Sequence, residues 1–233
     1  MKNILIRSLS LKSKQKRKFG FSLPEVTVAL GIFSMVSGGL LSFHVQMLKG
    51  GLFSEQKNMI NRDIRKVTTE FNDIAKEANY FVLYNSFDGA DRNSEDDRLY
   101  SNRSGDFVVF VFTSPSAATF GSQPVDRIVG YFRESQDLED VSNVGPVLKF
   151  DVTFNSPVDI SDSGSNKLED LFPSGSGSGG NFDQVVELSK GLANGKLFYN
   201  FEKKSIMVNG QIYHGHTGNR ITDTYNFTVS PRG

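Results

Sequence analysis

The sequence predicts an α+β chain, with helix at the front and strands behind. Three observations predict it. From Val26 to Leu48 no side chain carries a charge if His44 is neutral. From residue 52 to residue 79 apolar residues recur at intervals of three and four, the period of a half-buried helix. From Phe107 onward, short β-rich runs are separated by stretches of Gly, Pro, Asn and Ser.

The apolar run comes first. Val26–Leu48 is 23 residues, or roughly 35 Å as a helix. A bilayer's hydrocarbon core is about 30 Å thick and takes about 20 residues. The run is long enough to span, although Ser34, Ser37, Gly38, Gly39, Ser42 and His44 make it a weak span. The alternative is a buried helix of a soluble protein. Against that alternative stand seven cations just upstream: Lys2, Arg7, Lys12, Lys14, Lys16, Arg17 and Lys18. Residues 1–20 hold no Asp or Glu. The whole chain has 26 basic and 26 acidic residues, so everything after residue 20 is net acidic by seven. The positive-inside rule keeps such a head cytoplasmic and sends the C-terminal part across the membrane.

An ordinary secretory signal would place a small-residue cleavage site after the apolar stretch, and Ser37-Gly38-Gly39 is a poor substitute for one. The absence of Cys excludes a lipoprotein. The segment Lys16-Arg17-Lys18-Phe19 lacks the paired arginines of a twin-arginine signal. A better match lies before the run. Gly20-Phe21-Ser22-Leu23-Pro24-Glu25, preceded by bases and followed by an apolar helix, resembles the prepilin leader of type IV pilins and type II secretion pseudopilins. The resemblance covers roughly residues 14–45. It implies cleavage after Gly20 by a prepilin peptidase and N-methylation of the new terminus, Phe21. It also implies an assembly role for Glu25, the acid five places into the mature chain, paired with the terminal amine of a neighbouring subunit. Pro24 stands where many members carry an aliphatic residue. Proline suits a first helical turn, where its missing N–H is not needed.

The residues have their own chemistry beside the resemblance. Gly20 lets a protease approach the backbone closely. Methylation of an amine keeps its charge. An unpaired carboxylate inside the apolar layer costs about 2.5–3.5 kcal/mol on insertion scales, so Glu25 needs a partner. Ser22-Leu23-Pro24-Glu25 is also an S-x-x-E capping box with Ser22 as N-cap. Capping and assembly are compatible. Gly31, Gly38 and Gly39 weaken the helix, each by about 1 kcal/mol relative to alanine. They serve either close helix packing or, as the resemblance implies, local melting in a filament.

The resemblance further implies a pilin-like architecture. One long N-terminal helix spans the membrane in its first half, residues 21–49. Its second half, residues 50–80, packs against an antiparallel β-sheet built from residues 81–233. The leader is residues 1–20. On the residues alone, Leu52, Phe53, Met59, Ile60, Ile64, Val67, Phe71, Ile74, Ala75 and Ala78 form the apolar face of that second half. Gly50-Gly51 is expected to kink the helix. With 233 residues, 38% hydrophobic and 20 Phe, the chain can build one modest core, and no disulfide braces it.

Residues 85–106 read as a polar loop. Its acids Asp88, Asp91, Glu95, Asp96 and Asp97 raise the possibility of calcium, but their spacing fits no calcium loop and Arg92 sits among them. Phe107–Phe112 reads as a strand buried on both faces. Residues 115–126 read as a loop, Arg127–Arg133 as a strand, and Val147–Phe154 as an alternating strand. In the last, Phe150, Val152 and Phe154 share one face, and Val147 takes the other. Residues 155–181 read as a long loop ending in a flexible Gly/Ser stretch at 173–181. Phe182–Leu188 reads as strand or short helix. Lys196–Phe201, Ser205–Tyr213 and Thr224–Ser230 close the sheet, with Val208-Asn209-Gly210-Gln211 as a hairpin turn.

The chain reads as a non-enzyme with no resident cofactor. It has no HExxH motif, no Cys cluster, no G-x-S-x-G elbow and no phosphate-binding G-x-x-x-x-G-K-[ST]. His214-Gly215-His216 offers two nitrogens without further ligands beside them. An acidic exported part predicts no nucleic-acid partner. The expected function is a structural subunit, of a size suited to a minor pilin or pseudopilin. Its partners are the prepilin peptidase, sister subunits and the inner membrane. The alternative is a signal-anchored periplasmic domain that binds or catalyses without assembling.

Overall fold

A computed structural model describes residues 20–114, 124–134, 144–160, 166–174, 182–215 and 220–232. The leader therefore lies outside the described residues except for Gly20. So do most of the 115–126 loop, His216 and residues 175–181 of the Gly/Ser stretch.

Helix α1 runs from Leu23 to Glu77. Val26 N–H donating to Ser22 C=O at 3.2 Å opens it. Its only proline, Pro24, sits in the first turn, Glu25 complements the positive end of the helix dipole, and Lys76 complements the negative end. The helical assignment continues through Gly50-Gly51, where the sequence placed a kink.

The chain divides between Gly51 and Leu52 into two units. In the first, every large apolar side chain from Phe21 to Leu48 is exposed.

The second unit begins with the rest of α1. Ile60, Val67, Phe71, Ile74 and Ala75 are buried, and Ile64 is half-buried against them. Leu52, Phe53 and Met59, expected on the buried face, are exposed. Leu52 and Met59 lie roughly a quarter turn away from the Ile60–Val67–Phe71 stripe, which explains why they are left out. After Ala78 the chain enters the sheet directly. Asn79 N–H donates to Val111 C=O at 2.9 Å, and Thr113 N–H donates to Asn79 Oδ1 at 2.8 Å.

Nine strands follow: β1 (Tyr80–Tyr84), β2 (Ser104–Gly105), β3 (Phe107–Thr113), β4 (Pro124–Arg133), β5 (Gly145–Asp159), β6 (Asp183–Gly191), β7 (Phe198–Phe201), β8 (Ser205–His214) and β9 (Ile221–Val229). All pairings are antiparallel, in the order β1-β3-β4-β5-β6-β8-β7-β2, with β9 on the other side of β8. Residues 98–106 link the two ends of that order. Leu99 N–H donates to Leu83 C=O at 2.7 Å, while β2 pairs with β7. The architecture is α+β: one long N-terminal helix and a large antiparallel sheet.

Around β3 and β4 the sheet is buried on both sides, and β3 shows why its run is continuously apolar. Val108 and Phe110 face the helix cluster, whereas Phe107, Val109 and Val111 face a second cluster. In β5, Val147 joins the helix side, while Leu148 and Phe150 join the other, with Val152 and Phe154 packed beside them. The helix side centres on Phe71, whose ring meets Phe110, Tyr131, Phe198 and Phe227 at 5.1, 4.9, 5.8 and 5.7 Å. These partners belong to β3, β4, β7 and β9, so distant strands converge on one helical side chain. The second cluster is largely phenylalanine, with Phe87 stacked on Phe132 at 3.9 Å.

Several expectations need correction. Asn209-Gly210 is not a turn; it lies inside β8, paired with Asn226 and Tyr225. Gly210 is glycine because a Cβ there would meet the Tyr225 ring at 2.6 Å and Leu197 at 2.8 Å. The Asn-Gly pair that does turn is Asn194-Gly195, with φ of 55° and 82°, closed by the Ala193–Lys196 bridge. Residues 155–159, read as loop, extend β5, and Leu168–Leu171 forms a 3-10 helix. Residues 124–126, also read as loop, begin β4. The 85–106 loop holds 3-10 helices at Gly89–Asp91 and Glu95–Asp97, then β2. The 182–188 stretch is strand, within β6.

Candidate functional site

The candidate site is the start of α1. Gly20 is exposed and outside the helix, with no neighbouring atom within 4 Å of where a Cβ would sit. Phe21 follows at 86% exposure. Among the described residues, nothing crowds Gly20. Cutting the Gly20–Phe21 bond would leave a free amine on Phe21, one residue before the helix cap.

Ser22 N–H and Ser22 Oγ both donate to Glu25 Oε2, each at 2.8 Å. This is the half of a capping box in which the acid reaches back to the cap. The serine hydroxyl gives its proton to the carboxylate rather than accepting from the Glu25 N–H. Glu25 Oε1 has no partner among the described residues. The carboxylate is thus anchored by one oxygen and open at the other.

The helix that follows is long and apolar enough to cross a membrane, and none of its most apolar stretch is buried. Two of its hydroxyls bond back to the helix itself. Thr27 Oγ1 donates to Pro24 C=O at 2.8 Å, and Ser34 Oγ donates to Leu30 C=O. Such back-bonding lets hydroxyls sit in an apolar layer without an external partner. Gly31, Gly38, Gly39, Gly50 and Gly51 have open space where a Cβ would be. No packing among the described residues requires them to be glycine.

The remaining sequence candidates resolve into structural roles. His214 is buried, with Nε2 at 3.0 Å from Asp63 Oδ2, so it ties β8 to the helix. His44 is exposed on the apolar helix beside Phe43. Asp91 accepts from Asn85 Nδ2 and Ser86 Oγ at 2.8 and 2.6 Å, and Asp88 caps the 3-10 helix at Ala90. Asp97 accepts from the backbone N–H groups of Asn93 and Ser94, which hold its carboxyl below the usual range. Among the described residues no three metal-ligating side chains gather, so the calcium possibility finds no ligand set there.

A group that the sequence did not flag lies beside β1. Glu169 is buried, and its Oε1 accepts from Tyr84 Oη at 2.7 Å and from Arg98 Nε at 2.8 Å. Arg98 Nη2 reaches Oε2 at 3.2 Å. Burial alone would push the Glu169 carboxyl up, but the Arg98 and Tyr84 hydrogen bonds hold it below its usual value. Burial, and then Glu169, push the Tyr84 phenol up, which keeps it a neutral donor. Arg98 and Glu169 line a groove of about 800 Å³ between Tyr80–Leu83, Tyr100 and Lys203. Arg98 and Glu169 are 71 residues apart, so no spacing could have joined them.

Compared with known protein families, curated proteins and solved structures, the chain matches none.

Proposed function

We propose that this chain is a prepilin-type structural subunit, a minor pilin or pseudopilin. It is cut between Gly20 and Phe21, methylated on Phe21, and assembled into a type IV pilus or a type II secretion pseudopilus. One observation carries the reading. The hexapeptide Gly20–Glu25 sits at the mouth of a helix whose first, apolar half is exposed, with one oxygen of its acid free among the described residues. In this reading the leader stays cytoplasmic, the helix spans the inner membrane, and the pilin-like domain stands in the periplasm. The partners are the prepilin peptidase and sister subunits. Oε1 of Glu25 would receive a neighbour's terminal ammonium while Oε2 keeps Ser22.

The test is N-terminal sequencing of the full chain expressed with and without a prepilin peptidase. A peptidase-dependent methylated Phe21 terminus is the expected result. A retained leader, or a cut beyond the apolar helix, overturns it. Glu25→Ala should leave cleavage intact and impair assembly.

A second reading, a membrane-anchored domain that binds a ligand without assembling, is favoured by the groove over Arg98 and Glu169. An uncut leader in the same experiment would support that reading instead.

A further inference from the structure

The open edge of β9 is the strongest unassigned surface. Its direction follows from the pairing of β8. Asn209 N–H donates to Leu197 C=O, and Leu192 N–H donates to Asn209 C=O. Asn209 and the other odd residues of β8 therefore point their backbone groups toward β6 and β7. The even residues of β8 point toward β9, because antiparallel bonding alternates along a strand. With Gly210 opposite Tyr225 and Ile212 opposite Asp223, the odd residues of β9 are bonded to β8. The N–H and C=O groups of Thr222, Thr224, Asn226 and Thr228 then point outward. One of these eight groups is met locally, since Thr224 N–H donates to Asp223 Oδ1 at 2.9 Å. The others have no partner among the described residues.

Several other edges of the sheet are covered or interrupted. Arg98, Leu99 and Asp106 cover the lower half of the β1 edge, β2 covers β7, and Pro157 interrupts the free tail of β5. Strand β9 carries no proline, lysine or bulge, and Asp223 is its one charged side chain. Its outward side chains Thr222, Thr224, Asn226 and Thr228 are exposed, and Ile221 and Phe227 are only half-buried.

We propose that β9 pairs antiparallel with β9 of a second copy of this chain, about a twofold axis at Tyr225. That register sets Thr222 against Thr228 of the partner copy and Thr224 against Asn226. It satisfies all eight outward groups, with Asp223 releasing the Thr224 N–H and turning to solvent. It makes Thr–Thr and Thr–Asn cross-strand pairs on the solvent face. It also covers the half-buried Ile221 and Phe227. Two strands alone make a small interface, so the contact depends on copies concentrated by a shared apolar anchor. The inference does not rest on cleavage or filament assembly.

The chain contains no cysteine, so engineered thiols report without background. Full-length, uncleaved chain in detergent micelles is oxidised as equimolar mixtures of single variants. Thr224→Cys with Asn226→Cys, and Thr222→Cys with Thr228→Cys, should give disulfide-linked dimers. Thr222→Cys with Thr224→Cys, four residues out of register, should not. Asn226→Pro removes an outward N–H and leaves the β8 pairing intact, so it should abolish the Thr222–Thr228 dimer without changing the far-UV circular dichroism. Absence of dimer in every mixture, equal dimer in all three, or an Asn226→Pro chain that still cross-links overturns the proposal.

Discussion

Arg133 grips Asp106 with both ends of its guanidinium: Nε donates to Oδ1 at 3.0 Å and Nη2 to Oδ2 at 2.8 Å. The two side chains are 2% and 0% exposed. Asp106 also accepts from Leu197 N–H at 2.9 Å and lies 3.4 Å from Lys196 Nζ, while Arg133 Nη2 reaches Gly195 C=O at 3.1 Å. One carboxylate thus fastens the Asn194-Gly195 turn to the junction of β3 and β4. Replacing Asp106 with Ala removes this carboxylate from the buried Arg133 guanidinium and from the Leu197 N–H. The expected loss is about 3–5 kcal/mol of unfolding free energy, read by urea denaturation of the full chain in micelles.

The Glu169 site gives a pH dependence with a definite sign. Its folded-state carboxyl titrates below the unfolded value. Its contribution is therefore complete above the unfolded pKa, about 4.3, and is lost as pH falls through the folded one. Asp151, held low by its hydrogen bond to Arg127, acts in the same direction. Stability should fall as the solution is acidified below about pH 4.3. A Glu169→Gln chain should show a shallower acid slope, and Asp151→Asn should flatten it further, both followed by midpoint of urea unfolding against pH.

The two Asn-Gly pairs resist filling of their glycines for different reasons. At Gly210 a methyl group would collide with Tyr225 and Leu197. Gly210→Ala should cost about 1–3 kcal/mol through overpacking. At Gly195 the constraint is the backbone, with φ of 82°. Gly195→Asn, which tolerates that conformation, should cost less than Gly195→Val. Thermal melts of the three variants check the ranking.

The apolar helix should behave as an inserted span. Val36 is exposed near its middle. Val36→Arg should disfavour insertion by about 2.5–3.5 kcal/mol. Protease accessibility of the C-terminal domain in membrane vesicles measures it, and an unchanged accessibility pattern would count against spanning.

Much of the fold was legible because it is written locally. The helix from residue 52 onward follows from its 3.6-residue period, and the two-sided burial of β3 follows from six successive β-formers. Phe71 was legible as a core residue, but its four ring partners were not, because they arrive from strands up to 156 residues away. The exposure of Leu52, Phe53 and Met59 escaped the pattern, since periodicity reports an apolar face and not where the covering sheet begins.

By itself the sequence determined the charge-free run Val26–Leu48, the Gly20–Glu25 cap at its mouth and the order of helix before strands. These depend on chain neighbours, whose spacing fixes which groups share a turn or a face. The tertiary structure alone decided which Asn-Gly pair turns and which is clamped flat under Tyr225. It alone brought Glu169 to Arg98 and Tyr84, and turned the backbone of Thr222, Thr224, Asn226 and Thr228 outward from β8. Those outcomes depend on groups far apart in the chain, whose meeting is set by strand order and register rather than by local preference.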